Sequence, residues 1–337
     1  MNPTTPNRLA ICLRDYFVEH LPRLRGMSPH TIHSYRDSLL LLLRFLASRK
    51  KRQVCDLNLD DIDPDQILAF LTHLEQDRNN SVPTRNVRLA AIHAFFRYVG
   101  ARYPEQIEHA QRVLGVPFKR TSQRAVDYLE YIEIEAVLSR IDRSSRDGRR
   151  DHVLLVTMFN TGARVQEVLD LRAYDLQLAR PYQLRLFGKG RKERYCPLWP
   201  ETAKELRAFC KERQIDLRSE SKVFLNHREE PLTRYGVRYI LAKHIDRARP
   251  DVPSLARKRL HPHSMRHSTA VALLKSGVDL STISQLLGHA SPNTTNRYAS
   301  VDLEMKREAL AKVKPVGGSG NPSWRKNQTV LEWLEHL

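Results

Sequence analysis

Apolar residues recur at intervals of three and four through the first hundred residues, which predicts a set of amphipathic helices. The clearest of them begins at Ser28 and Pro29, a pair typical of a helix N-cap and the first helical turn. Its apolar face follows directly and comprises Ile32, Tyr35, Leu39, Leu42, Leu43 and Leu46. Similar spacing predicts helices over residues 64–76 and 82–98. The amino-terminal region is therefore expected to be helical throughout.

The helix over residues 82–98 is predicted to bury a mixed aliphatic and aromatic face. The inward-facing residues are Val87, Leu89, Ile92, Phe95 and Phe96, and those expected to remain outside are Arg85, Arg88 and Arg97. Such arginines can grip phosphates, but charges of this kind more often only solvate a helix face. Taken singly, they favour the second interpretation.

The periodicity weakens in a basic and polar stretch, which is interpreted as an interdomain linker. Beyond it, a helix from about Asp151 is expected to end in left-handed geometry at Gly162. Residues 182–187 and 193–198 alternate as strands do, and the basic segment 188–192 between them is typical of a hairpin tip. The pattern predicts a mainly α-helical fold with a small antiparallel sheet.

Helices are expected again in the second half of the chain, where Gly277 and Gly288 are predicted to end two of them. A short helix should contain Tyr298, and an apolar stripe around Trp333 predicts a final helix after a flexible segment. The predicted parts are a helical domain at 1–104, a linker at 105–127, a second domain at 128–314, and a flexible linker with a terminal helix at 315–337.

Composition and charge limit the kinds of function that this chain can have. The chain of 337 residues is long enough for two domains, and its 56 Lys and Arg against 38 Asp and Glu give a formal charge of +18, which favours a polyanionic partner. Neither a membrane-spanning run nor a secretion signal is visible, so a cytoplasmic protein is expected. Four cysteines form no close pair and are interpreted as reduced thiols: Cys12, Cys55, Cys196 and Cys210.

Arg164 is the first candidate for chemistry. It follows Gly162 at the head of a predicted helix, where free backbone amides and an arginine could hold a phosphate together. A surface arginine paired with Glu167 is the plainer interpretation, and this residue alone favours it.

A second candidate is the segment HPHSMRH at residues 261–267. His263 and Arg266 stand three apart on a predicted helix and could meet one phosphate. His263 and His267 also have the spacing of a zinc-binding helix, and the His-Pro-His segment is reminiscent of a nicking enzyme with paired histidines. Neither metal interpretation has its usual neighbouring residues, so a structural role for His267 is favoured.

The third candidate is Tyr298, which follows His289 by nine residues. A tyrosine alone is a poor signal, because most are half-buried packing residues. The joint order of the candidates in one basic domain carries more information.

That order resembles the tyrosine recombinases, the phage-integrase family that includes Xer-like and Cre-like enzymes. The matching segments are TGARVQEV at 161–168, GKGRKER at 188–194, HSMRH at 263–267 and LLGH at 286–289 with Tyr298. Ala163 and Met265 stand where leucine is frequent in the family. The resemblance covers roughly residues 8–314, and it implies six catalytic residues: Arg164, Lys189, His263, Arg266, His289 and Tyr298 as nucleophile.

The resemblance implies a two-domain DNA clamp, with a helical, SAM-like core-binding domain and a catalytic domain. It implies a metal-independent enzyme without a cofactor, which cuts and rejoins double-stranded DNA at specific sites through a 3′-phosphotyrosine intermediate. The expected assembly is a homotetramer on DNA, or a hetero-assembly with related recombinases, without a membrane partner.

Rival interpretations remain at this point. A type IB topoisomerase shares the tyrosine and arginine arrangement, and a catalytically silent accessory protein could organise DNA without cutting it. Integration, transposition and chromosome or plasmid resolution use the same chemistry, and the tail slightly favours a mobile element. The terminal helix could dock on a neighbouring subunit or pack within its own chain.

Overall fold

The structure is a computed structural model that describes residues 7–121, 127–188 and 193–288. The chain divides into two units, one within residues 1–124 and the other within residues 125–337. The described residues are mostly helical, with one three-stranded antiparallel sheet in the second unit. The predicted fold class, mainly α with a small antiparallel sheet, is confirmed. The predicted helices around Tyr298 and Trp333 lie outside the described residues.

The described residues of the first unit form helices and no strands. The helices are α1 (Arg8–Asp15), a π-helical continuation (Tyr16–Leu24), α2 (Pro29–Lys50), α3 (Pro64–Gln76), α4 (Val82–Arg102) and α5 (Ile107–Leu114), with short 3₁₀ turns at Val54–Asp56, Leu59–Asp61 and Pro104–Gln106. The predicted start of α2 is confirmed, because Ser28 accepts a hydrogen bond from the Thr31 amide and Pro29 occupies the first turn. Apolar faces of these helices enclose one core, in which Phe70, Phe95 and Phe96 are fully buried.

The stretch interpreted as an interdomain linker contains a helix, and that interpretation was wrong for α5. Ala110 and Val113 of α5 are buried in the core of the first unit. His109 also enters this buried face, where its Nε2 lies 3.1 Å from the Leu59 carbonyl oxygen. The buried face of α5 consists of His109, Ala110 and Val113, so a polar and a small residue conceal the apolar periodicity from which a helix would have been predicted.

The predicted register of α4 was also wrong at its amino-terminal end. Val87 is 54% exposed, whereas Arg85 is buried in line with Leu89 and Ile92. The Arg85 guanidinium donates to the Pro117 carbonyl at 3.3 Å and to the Asn86 side-chain oxygen at 2.9 Å, and these hydrogen bonds offset part of the cost of burying its charge. Arg85 is buried because the segment after α5, which contains Pro117, folds back against α4.

The second unit combines helices with the sheet. Its elements are α6 (Tyr131–Ser139), α7 (Arg146–Thr161), α8 (Val165–Leu169), β1 (Leu176–Gln177), β2 (Gln183–Phe187), β3 (Glu193–Pro197), α9 (Pro200–Glu212), α10 (Arg234–Ala248), α11 (Pro262–Lys275) and α12 (Leu280–Leu287), with 3₁₀ turns at Ala173–Asp175 and Pro253–Arg257. Among the described residues, no helix is both long and apolar enough to cross a membrane.

The sheet of the second unit has a buried inner face and a more exposed outer face. The strands lie in the order β1-β2-β3, and Leu186 of β2 pairs with Arg194 of β3. Leu186 and Cys196 are buried on the inner face, so Arg194 points to that side as well. Arg185 pairs with Tyr195 and belongs to the outer face. This register aims one arginine of β3 toward the helices.

Candidate active site

Two glycines let the ends of α7 and α12 come together. Gly162 ends α7 with a φ of 56°, which confirms its predicted left-handed geometry, and Gly288 ends α12 with a φ of 64°. A Cβ at Gly162 would overlap the Leu287 side chain. Only glycine meets the backbone and the space requirements at Gly162 without strain.

Arg266 of α11 is 1% exposed and binds both of these helix ends. One terminal nitrogen donates to the Gly162 carbonyl at 2.8 Å, and the other donates to the Leu287 carbonyl at 2.6 Å. The guanidinium is therefore fixed between the turn after α7 and the last turn of α12. Its buried position gives the local positive charge more influence than it would have in water.

Arg164 reaches the next carbonyl of the same turn. Its backbone amide donates to Glu167 at 2.8 Å, one guanidinium nitrogen donates to Glu167 at 2.8 Å, and the other donates to the Gly288 carbonyl at 3.2 Å. The pairing with Glu167 that the plainer sequence interpretation expected is present, and Arg164 also joins Arg266 at the end of α12. Two arginines thus bind consecutive carbonyls directly before residue 289.

A third arginine, Arg194, completes this group, and it is not one of the six predicted site residues. Arg194 donates to the Leu286 carbonyl at 3.2 Å and to both carboxylate oxygens of Glu167, at 3.0 and 2.8 Å. We name Arg164, Arg194, Arg266 and Glu167 the arginine cluster. The alternation of β3 could have indicated that Arg194 points inward, but its partners lie 27 and 92 residues away in sequence.

Glu167 is the buried anion of the arginine cluster, with 4% of its surface exposed. Burial alone would raise its pKa, but hydrogen bonds and charge from Arg194, with further donors from Arg164, hold the pKa of this carboxyl below its ordinary value. Glu167 is therefore ionised at neutral pH and balances part of the positive charge around it.

His263 lies near these arginines at the start of α11. Desolvation by the surrounding protein, and then the positive charge of Arg266, lower the pKa of His263 below its ordinary value of 6.5, although the residue keeps an exposed surface. Arg164 contributes in the same direction. The ring is therefore neutral at pH 7 and can accept a proton.

The neighbouring histidines show no metal-ligand arrangement. The rings of His263 and His267 meet edge to face with centroids 4.4 Å apart, and His261 stacks beside His263 at 6.3 Å. Within the described ranges, no three His, Cys, Asp or Glu residues are grouped as metal ligands would be. His267 is 9% exposed, and packing on α11 accounts for its burial.

The structure thus brings together three of the six predicted site residues: Arg164, His263 and Arg266. The other three, Lys189, His289 and Tyr298, lie outside the described residues. His289 directly follows the turn that binds both arginines, and Lys189 directly follows Gly188, the last described residue before the gap between β2 and β3.

The described part of the site can bind an anion and take up a proton. Planar guanidinium groups bind paired oxygen atoms such as those of a phosphate, and the neutral imidazole beside them can act as a base. Those are two of the tasks that a phosphoryl-transfer site requires.

Two family models match the chain over most of its length. Residues 127–305 match the phage integrase family, and residues 15–102 match the N-terminal SAM-like domain of phage integrases. Both units therefore resemble the parts of one kind of protein.

Individual proteins are similar over nearly the whole chain. A protein of Sinorhizobium fredii that bears the name integrase/recombinase y4rC is 41% identical over 98% of both chains. The tyrosine recombinase XerC of Oceanobacillus iheyensis is 32% identical, over 92% of this chain and 97% of its own. The crystal structure of the XerH site-specific recombinase in a post-cleavage complex with its difH substrate superposes with a TM-score of 0.66 at 24% identity, over 85% of this chain and 81% of XerH. At that identity, the likeness to XerH establishes the fold.

Proposed function

The chain belongs to the phage integrase family and is a tyrosine recombinase, and we propose that Tyr298 is the nucleophile with which it cleaves DNA. This membership confirms the resemblance that the motifs predicted. The proposed catalytic set is completed by Arg164, Lys189, His263, Arg266 and His289.

The observation that supports this proposal best is the position of two arginines at the end of α12. Arg164 and Arg266 bind the carbonyls of Gly288 and Leu287, and the next residue is the proposed catalytic His289. In the proposed reaction, both guanidinium groups donate to the non-bridging oxygens of the scissile phosphate. They neutralise the charge that builds up as phosphorus becomes five-coordinate.

Proton transfers accompany the exchange of oxygen atoms on phosphorus. The phenolic oxygen of Tyr298 forms a bond to phosphorus while the bond to the 5′ oxygen breaks. His263 takes up or relays the phenolic proton, and Lys189 delivers a proton to the departing 5′ oxygen. His289 adds a hydrogen bond to the phosphate. The product is a 3′-phosphotyrosine diester, and reversal of the same steps rejoins the strand.

The proposed substrate is double-stranded DNA at specific recombination sites, and we propose that the enzyme acts in the cytoplasm. The formal charge of +18 supports binding to a polyanion, with an affinity that falls steeply as salt rises. We assign core binding to the helical domain at 1–104 and catalysis to the domain at 128–314, with α5 joined to the core of the first unit. Two successive strand exchanges need four active sites, so a homotetramer on DNA is proposed.

A nicked suicide substrate tests the proposed function. Wild-type protein should form an SDS-resistant adduct with the DNA strand, and Tyr298→Phe should form none. Tyr239→Phe is a matched control, because Tyr239 is 70% exposed on α10 and is expected to leave the adduct yield unchanged. DNA binding without an adduct from the wild type would instead support the accessory-protein interpretation.

The adduct experiment leaves one rival, the type IB topoisomerase, which a second readout separates. With two intact recombination sites, a recombinase should yield joint molecules with exchanged partners, whereas a topoisomerase should only relax supercoiled DNA.

A further inference from the structure

We propose that Arg194 is a positioning residue that neutralises Glu167 and so keeps the positive charge of Arg164 available to the DNA phosphate. This inference rests on the proposed function and deepens it. It assigns a task to a side chain outside the proposed catalytic set.

The first support is the way in which the two arginines share one carboxylate. Arg194 binds both oxygens of Glu167, and one of those oxygens also accepts a hydrogen bond from Arg164 at 2.8 Å. Two guanidinium groups and one carboxylate leave one net positive charge. Without Arg194, the remaining pair would be neutral, and Arg164 would be drawn toward a buried anion that has lost its main partner.

Burial supports the same assignment. The side chain of Glu167 is 3% exposed and that of Arg194 is 13% exposed, so water can screen their charges only weakly. The side chain of Arg164 is 36% exposed, which leaves it open to a ligand. The three side chains therefore divide into a buried pair and one accessible cation.

The third support is the position of Arg194 in the fold. It stands on β3, two residues after the hairpin tip at 188–192, and also donates to the Leu286 carbonyl at 3.2 Å. A Cβ at Gly288 would lie 3.1 Å from Arg194 Cδ, so this glycine leaves the room that the arginine occupies. Arg194 thus connects β3, the strand after the proposed catalytic Lys189, to Glu167 and to the last turn of α12, which precedes His289.

Variants that change the net charge of the arginine cluster test whether Arg194 acts through its charge or only supports the local structure. Arg194→Gln should slow adduct formation on the suicide substrate by roughly ten- to a hundredfold, the range found when a residue that orients a metal ligand is lost. The double variant Arg194→Gln with Glu167→Gln restores one net positive charge, so it should recover most of the lost rate. A double variant as slow as Arg194→Gln, or a wild-type rate for Arg194→Gln, would overturn the proposal.

A conservative variant guards against misfolding. Arg194→Lys keeps the charge, and we expect it to cleave faster than Arg194→Gln at equal DNA occupancy. Equal rates for the two folded variants would contradict a role for charge. Arg185→Gln is the matched control, because Arg185 binds the buried Asp175 on the opposite face of the same sheet and should leave cleavage unchanged.

A readout without DNA distinguishes failure of this inference from failure of the proposed function. Inorganic phosphate at constant ionic strength should raise the unfolding temperature of the wild type and of the double variant more than that of Arg194→Gln. If the wild type forms no DNA adduct, the proposed function fails, and the phosphate series still decides whether Arg194 frees Arg164. Equal phosphate effects on all three proteins would refute the inference.

Discussion

The helical core of the first unit and the arginine cluster of the second unit are held together by different forces. In the first unit, the Phe95 ring packs edge-on against Tyr16 and Phe96, with centroids 5.3 and 5.5 Å apart, and all three residues are buried. In the second unit, guanidinium groups bind backbone carbonyls and one carboxylate. Apolar burial depends on area and shape, whereas the cluster depends on individual donors and charges.

This difference predicts that changes in the two regions will affect different measurements. A lost aromatic ring in the first unit should lower the free energy of unfolding. A lost donor in the arginine cluster should lower the rate of cleavage far more than it lowers DNA affinity, since most of that affinity comes from many phosphate contacts.

The largest effect is expected from Arg266→Gln, which removes a buried guanidinium from the site. The cleavage rate should fall by roughly a hundred- to a thousandfold, the scale observed when one transition-state donor is lost. Single-turnover adduct formation at saturating DNA measures it. Arg164→Gln is a companion variant that should disturb folding less, because the Arg164 side chain is 36% exposed. A wild-type cleavage rate from either folded variant would contradict the role of the arginine cluster in cleavage.

Phe95→Ala should have the opposite profile. Truncation of a fully buried phenylalanine leaves a cavity and should lower the free energy of unfolding by about 3–5 kcal/mol. Chemical denaturation measures this loss, and the cleavage rate per folded, DNA-bound molecule should remain near that of the wild type. Val87→Ala on the same helix is the control, because Val87 is exposed and should cost little. Equal losses from both variants would refute the observed register of α4.

The pH dependence of cleavage should report His263. Desolvation and positive neighbours lower its pKa below 6.5, so the neutral, proton-accepting form persists at lower pH than in a free histidine. The rate should be level near pH 7 and fall about tenfold per pH unit once the pH drops below the His263 pKa. His263→Gln should remove this acidic limb. A wild-type limb centred above pH 6.5 would contradict the assignment.

The smallest effect is expected in the first unit, where the Asn86 side chain holds the segment after α5 by hydrogen bonds to the Lys119 backbone. Its side chain donates to the Lys119 carbonyl at 2.8 Å and accepts from the Lys119 amide at 3.2 Å. Asn86→Ala should lower the free energy of unfolding by about 1 kcal/mol, the net value of such hydrogen bonds. It should also speed amide hydrogen exchange in α5 while leaving the cleavage rate unchanged. If α5 exchanges at the wild-type rate in Asn86→Ala, the hydrogen bonds of Asn86 do not stabilise α5.

Local chemistry accounts for what could be predicted from the sequence. Proline and serine at a helix start, or glycine at a helix end, act within a few residues, so the start of α2 and the left-handed turn at Gly162 were predictable. The grouping of Arg164, His263 and Arg266 was predictable only because their order matches a known family.

Long-range polar contacts account for what could not be predicted. Arg85 is buried because a carbonyl 32 residues later accepts its hydrogen bond, and no local pattern contains that partner. Arg194 likewise acquires its role from Glu167 and Leu286, which β3 meets only after the chain has folded. The assignments of Lys189, His289 and Tyr298 remain predictions.

Mass spectrometry of the trapped covalent adduct tests the central claim most directly. Digestion of the wild-type adduct with protease and nuclease should yield a single peptide that contains Tyr298 linked to a 3′-phosphonucleotide, and Arg266→Gln should strongly reduce its amount. A nucleotide attached to another residue, or through a 5′ phosphate, would contradict the account.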